Sequence, residues 1–488
     1  MILHELSANN IKEKLIKREI SAQEVVEDLF EKIYLNEPSV KAYLCLDKEG
    51  ALLKAREIDE KLSSGAKVGL LAGIPVAIKD NICTSGIKTT CASRMLENFV
   101  PPYDAFVVKR IKEEDAIIIG KTNLDEFAMG SSNENSAFHV TRNPWNTDYI
   151  PGGSGGGSAA AVTADMAFMA LGSDTGGSIR QPSAFCGNVG CKPTYGRVSR
   201  YGLVAFASSL DQIGSITKNV YDAALLLQVV SGYDGYDSTS ANIGVPDYIS
   251  GINSVRGNLR IGVPREFFGD GLNTEVANAV TNALEIYKKN GAELVDLSLP
   301  HCGYAVATYY IIATAEASSN LARYDGVRYG HRSQLSEDNI IDMYCRVRAE
   351  GFGSEVKRRI LLGNYVLSAG FYDAYYLKAS KVRSLIKGDF EDAFNKVDCI
   401  ISPTCPSPAF KIGEKITDPL EMYLSDIYTI PANLVGIPGI SIPCGFTTTG
   451  LPIGMQIMGK HFEEEKILKV AKLFENETDF HLKKPELI

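Results

Sequence analysis

The sequence has no apolar run approaching the roughly 18 residues that a membrane span needs. Its N-terminus, Met1-Ile2-Leu3-His4-Glu5-Leu6, lacks the basic-then-apolar order of a signal peptide. It has no surplus of positive charge: 50 Lys and Arg against 59 Asp and Glu give a net charge of −9. Gripping nucleic-acid phosphates takes a basic face, so any nucleic acid is expected to be held by a partner. The ten cysteines form no Cys-x-x-Cys pair and no zinc-like Cys/His spacing. No metal site is therefore expected, and the thiols read as reduced and mostly buried in a cytoplasmic protein. Histidine is scarce, six in 488 residues, and none falls in the motifs below. No repeat, low-complexity tract or proline-rich linker divides the chain.

What is present is ordinary globular material, 45% hydrophobic and 22% charged. Residues 1–64 read as helical and are expected to pack on the core. Ser21 and Glu24 have capping-box spacing, Val25, Leu29 and Ile33 recur at helical intervals, and a second helix is expected over Leu52–Leu62. From residue 65 to 488 the texture becomes alternating, which predicts one large domain. Strands are predicted at Ile74–Ile78, Ala116–Gly120, Ala167–Leu171, Leu259–Val263, Glu293–Leu297, Val397–Ile401, Ile440–Pro443 and Pro452–Met458. Helices are predicted at Phe106–Ile111, Ala159–Met166, Thr274–Lys289 and Glu463–Phe474. This alternation indicates an α/β fold around a parallel or mixed sheet.

The chemistry concentrates in glycine-rich turns. One reads Pro151-Gly152-Gly153-Ser154-Gly155-Gly156-Gly157-Ser158; the other reads Gly172-Ser173-Asp174-Thr175-Gly176-Gly177-Ser178-Ile179-Arg180-Gln181-Pro182. Successive amides from Thr175 to Ser178 can form a nest for an anion or an oxyanion. A dinucleotide fingerprint fails because Ser158 stands at the sixth place, and a phosphate loop ending at Gly120-Lys121-Thr122 fails because Asp115 stands at the first glycine. Gly152-Gly153-Ser154-Gly155-Gly156 fits a nucleophile elbow, but Pro144 and Pro151 make the preceding segment a poor strand. A serine activated by a lysine accounts for more. Lys79 ends the apolar run Gly73-Ile74-Pro75-Val76-Ala77-Ile78, and burial would lower its pKa until the neutral amine could take a proton through an intervening hydroxyl.

These residues resemble the signature of the amidase signature family: two serines 24 positions apart (178 − 154) and an upstream lysine. Gly155 departs from the pattern, since many members carry a second serine there. The resemblance extends through Met129–Phe138, Lys192–Leu203, Ala207–Gln212, Glu316–Gly326 and Glu355–Arg359 to the branch that forms the glutaminase (A) subunits of tRNA-dependent amidotransferases. It implies the family's fold, a central mixed sheet with helices on both faces. It implies Ser178 as nucleophile, Ser154 after a cis peptide as proton relay, and Lys79 as base. Thr175, Gly176 and Gly177 would contribute to the oxyanion hole, beside a helix beginning near Ser178. For glutamine it implies Arg358, with Arg359 adjacent, at the α-carboxylate, Asp426 at the α-ammonium, and Tyr309 lining the pocket. It further implies a heterotrimer with B and C subunits. ATP, magnesium and the misacylated tRNA, Glu-tRNA(Gln) and/or Asp-tRNA(Asn), would lie on B, with no cofactor in this chain. A stand-alone amidase acting on a small free amide is the alternative.

Overall fold

The computed structural model describes residues 2–254, 259–334 and 339–487. Eleven strands form one sheet: β1 (Tyr43–Leu46), β2 (Pro75–Lys79), β3 (Ile117–Thr122), β4 (Met169–Asp174), β5 (Val189–Lys192), β6 (Gln212–Thr217), β7 (Arg260–Pro264), β8 (Glu293–Leu297), β9 (Cys399–Pro403), β10 (Gly439–Phe446) and β11 (Pro452–Met458). Their order is β1-β3-β2-β4-β6-β5-β10-β11-β9-β7-β8. Parallel pairing joins β2 to β3 and β4, and β7 to β8 and β9. The centre is antiparallel, from β4 through β6, β5, β10 and β11 to β9. Every residue of β2, β3, β4, β6, β9 and β11 is buried. A strand buried at every position is covered on both faces, which is the expected mixed α/β architecture.

The N-terminal segment is not purely helical. The helix Ala22–Val40 starts with the expected capping box between Ser21 and Glu24. It closes on Lys41 in the left-handed region, and the chain then turns into β1, whose Tyr43 pairs with Thr122. Four residues are too few to show a period of two, so this edge strand left no pattern in the sequence. Ile11, Leu15, Val25, Leu29 and Ile33 share one apolar cluster with Val76 and Ile78 of β2. Further along, the helix Thr274–Lys289 is capped by Asn273 and buries Val276, Val280, Leu284 and Tyr287 at helical spacing.

The site is prepared by register. β2 and β4 run parallel, with Ile78 opposite Leu171. Lys79 therefore ends β2 beside Gly172 and Ser173 of β4, at the carboxyl edge of this parallel pair, where open α/β sheets place their ligands. A second apolar cluster, built on the helices Ala305–Leu321, Ser354–Leu367 and Lys378–Phe394, includes Tyr309. Among the described residues, no helix is long and apolar enough to cross a membrane.

Candidate active site

Lys79 is fully buried, and its Nζ donates to Ser154 Oγ at 2.7 Å, Ser173 Oγ at 2.9 Å and the Ser173 carbonyl at 3.1 Å. Burial lowers the amine to a pKa of about 7, against the opposing pull of Asp174, Asp125 and Asp211. About half of it is then neutral at pH 7. A neutral amine keeps two N–H donors and one lone pair. The Ser173 carbonyl can only accept, so the lone pair must receive a hydroxyl proton, and Ser154 offers the nearer one.

Ser154 follows a cis Gly153–Ser154 peptide and precedes the helix Gly156–Thr163. Gly153 N–H donates to Gln181 Oε1 at 2.8 Å, and Gln181 Nε2 donates to the Ser131 carbonyl, so one side chain ties both turns together. The Gly155 amide donates to the Ser178 carbonyl at 3.1 Å, which sets the second serine against the first. Lys79 and Ser154 are 0% exposed and Ser178 is 8% exposed. Of these three residues, Ser178 alone retains exposure.

Asp174 braces the second turn. Its carboxylate accepts from the Gly177 and Ile179 amides, from Asn433 Nδ2, and from Arg180 through Nε and Nη2. Burial alone would raise its pKa, but Arg180 overrides it and holds the carboxyl at about 2. Arg180 is fully buried and also donates to Gln456 Oε1 and the Thr429 carbonyl. The expected oxyanion set is corrected at Gly177: its N–H is spent on Asp174 at 2.9 Å. Thr175, Gly176 and Ser178 keep amides that no acceptor takes among the described residues. Gly177 serves through its shape instead, with φ +141° and a missing Cβ that would meet Thr429 Oγ1 at 2.2 Å. The helix expected near Ser178 runs Arg180–Cys186.

The glutamine-pocket candidates fall into two groups. Tyr309 covers the turn: a Cβ on Gly176 would come within 2.8 Å of its Cζ. Asp426 receives the Ser131 hydroxyl, and burial raises its pKa to about 7 against that hydrogen bond. Its carbonyl shares Thr429 Oγ1 with the Gly176 carbonyl. Arg358 and Arg359 instead line a cavity of about 290 Å³, together with Ser132, Glu355 and Tyr423. That cavity reaches the serine turn at Ser132, whose amide nitrogen would lie 2.6 Å from a Cβ on Gly153. Arg358 is half-exposed and paired with Glu355. Arg359 is buried, donates through Nε to Glu355 Oε1 at 2.8 Å, and sits over the rings of Tyr310 and Tyr423. Its Nη groups have no protein acceptor among the described residues. Sequence reasoning missed Ser173, Asn81, Gln181 and the Asp174–Arg180 brace. The signal available for the brace was a carboxylate and a guanidinium six positions apart around a glycine turn.

A family model described as Amidase matches residues 24–468. Over 487 residues the chain is 59% identical to the A subunit of glutamyl-tRNA(Gln) amidotransferase from Carboxydothermus hydrogenoformans, with 100% of each chain covered. It is 57% identical over 488 residues to the protein of the same name from Desulfatibacillum aliphaticivorans, again with 100% of each covered. The crystal structure of the glutamyl-tRNA(Gln) amidotransferase A subunit from Thermotoga maritima matches with a TM-score of 0.81 at 44% identity, covering 99% of this chain and 97% of that one. A 6-aminohexanoate cyclic dimer hydrolase complexed with substrate matches with a TM-score of 0.86 at 27% identity, covering 99% of both.

Proposed function

The chain belongs to the amidase signature family, and from that premise we propose that it is the glutamine-hydrolysing component of an amidotransferase acting on Glu-tRNA(Gln) and/or Asp-tRNA(Asn). The observation that carries the chemistry is the 2.7 Å hydrogen bond from a fully buried lysine to Ser154, beside a serine that alone keeps contact with solvent. Ser178 Oγ attacks the side-chain amide carbon of glutamine. Its proton passes to Ser154, whose own proton passes to Lys79. The oxyanion takes the amides of Thr175, Gly176 and Ser178, each good donor being worth roughly 3–4 kcal/mol. The C–N bond breaks, the proton held by Lys79 returns through Ser154 to the leaving nitrogen, and ammonia departs. Water then hydrolyses the glutamyl ester to glutamate.

Asp426, as a carboxylate, takes the α-ammonium of glutamine, and Tyr309 packs beside the reacting amide. For the α-carboxylate, the free Nη groups of Arg359 support that residue over Arg358, whose guanidinium is already paired at the surface. The full-length likeness to amidotransferase A subunits supports a complex with B and C subunits in the cytoplasm. ATP, magnesium and the charged tRNA then belong to the B subunit. The test is mass spectrometry after exposure to a reactive glutamine analogue. One acyl adduct is expected on Ser178, lost in Ser178→Ala along with glutamine turnover; an adduct elsewhere, or retained turnover, rejects the assignment. Rapid hydrolysis of unrelated small amides by the isolated chain would favour a stand-alone amidase.

A further inference from the structure

The helix Ser354–Leu367 buries Val356, Arg359, Ile360, Gly363 and Val366 against the helix Ala305–Leu321. Its opposite face should then be polar, as on an ordinary amphipathic helix. It carries Leu361, 69% exposed, and Leu362 and Tyr365, both more than two-fifths exposed. The chain continues into Ser368–Tyr375, eight consecutive exposed residues that include Phe371, Tyr372 and Tyr375. Tyr365, Phe371 and Tyr375 form one aromatic cluster of tilted rings, with centroids 4.5–6.0 Å apart. Asp373–Leu377 forms a π-helical turn, a rare feature that concentrates at functional places. Apolar patches of this kind on a soluble surface mark interaction sites, and aromatic residues are enriched at their centres.

The charge around the patch selects its occupant. In a chain of net charge −9, the exposed ionic residues here are Lys357, Lys378 and Lys381, with Arg358 already paired to Glu355, against one exposed acid, Asp373. A second copy would set basic against basic across a two-fold axis, because such an interface pairs a patch with itself. Nucleic acid would leave the leucines unsatisfied. We propose that the outward face of residues 357–381 docks a protein partner whose matching surface is apolar at its centre and acidic at its rim. The proposal rests on the amidotransferase reading above and assigns its interface. The face starts at the substrate cavity, since Arg358 lines that cavity and Leu361 and Leu362 lie one helical turn further on. Docking therefore reaches the mouth through which glutamine would enter.

The test is reconstitution with purified B and C subunits, read by sedimentation velocity. Leu361→Asp is expected to weaken association at least tenfold, with the melting temperature and glutamine hydrolysis of the isolated chain unchanged. Lys378→Glu with Lys381→Glu is expected to weaken it at low salt, with the difference from wild type shrinking as salt rises. If wild type assembles and all these variants assemble equally well, the face is refuted while the amidotransferase reading stands. If wild type does not assemble, both fail. A wild-type homodimer abolished by Leu361→Asp, or tRNA binding lost in the lysine double variant while the complex still assembles, would also overturn the proposal.

Discussion

At the scale of single residues, the site is governed by two groups that titrate near neutrality for the same reason. Burial lowers Lys79 to about 7 and raises Asp426 to about 7. In the mechanism proposed, Lys79 must be neutral and Asp426 ionised, so both requirements fail as pH drops through 7. The acid limb of kcat/KM should then fall with a slope steeper than one proton, because the free enzyme contributes both groups. Once glutamine is bound, its ammonium keeps Asp426 ionised, and kcat at saturation should fall with a slope of one and an apparent pKa near 7. Equal slopes for the two profiles would remove Asp426 from the ammonium contact. Lys79, Ser154 and Ser178 were legible because glycines announce close backbone approaches. Ser173 and Asn81 were not: they are common residue types, and only the alignment of β2 with β4 brings Asn81 Nδ2 to 2.9 Å from Ser173 Oγ and Ser173 to the lysine.

At the scale of elements, a glycine and an ion pair hold surfaces together that propensity alone would separate. Gly363 faces the helix Ala305–Leu321, where a Cβ would lie 1.9 Å from the Thr314 carbonyl oxygen. Alanine there gains about 1 kcal/mol in helix propensity. It also forces two backbones apart, which costs about 3 kcal/mol at the upper end of overpacking. The overlap wins, and Gly363→Ala should lose about 2 kcal/mol in denaturant unfolding with the m-value unchanged. Asp174→Asn should cost more, about 3–5 kcal/mol, because it leaves the Arg180 guanidinium buried without its countercharge. It should also lower kcat by loosening the turn that carries Ser178. Apolar strands and capped helices could be read directly: Glu293–Leu297 and Thr274–Lys289 lie where their patterns predict. The strands β5 and β6 went unread. Their centres, Gly190 and Gly214, pack where a Cβ would meet Ser183 Oγ at 2.3 Å and the Cys191 carbonyl oxygen at 2.1 Å, and glycine there interrupts the β-branched runs by which strands are recognised.

At the scale of the whole molecule, the fold cannot by itself name the substrate, because the same architecture carries other amide chemistries. In the proposed pocket a buried guanidinium, Arg359, works with a carboxylate, Asp426, whose pKa burial raises to about 7 and whose ionisation a substrate cation would complete. Free, Asp426 is about half protonated at pH 7. In the binding mode proposed, glutamine would release a proton as Asp426 becomes fully ionised. Ligand that binds only the native state stabilises it by RT ln(1 + [L]/Kd), about 2.7 kcal/mol at a hundredfold excess over Kd. In Ser178→Ala, which cannot consume its ligand, glutamine should raise the melting temperature with a logarithmic dependence on concentration. The shift should be larger at pH 8 than at pH 6, because the carboxylate is already ionised at the higher pH. Adding Arg359→Met should abolish it, and adding Arg358→Met should leave most of it. If Arg358→Met instead removes the shift and Arg359→Met retains it, the α-carboxylate sits at the rim of the cavity and the buried guanidinium is only a strut between Glu355 and the aromatic rings.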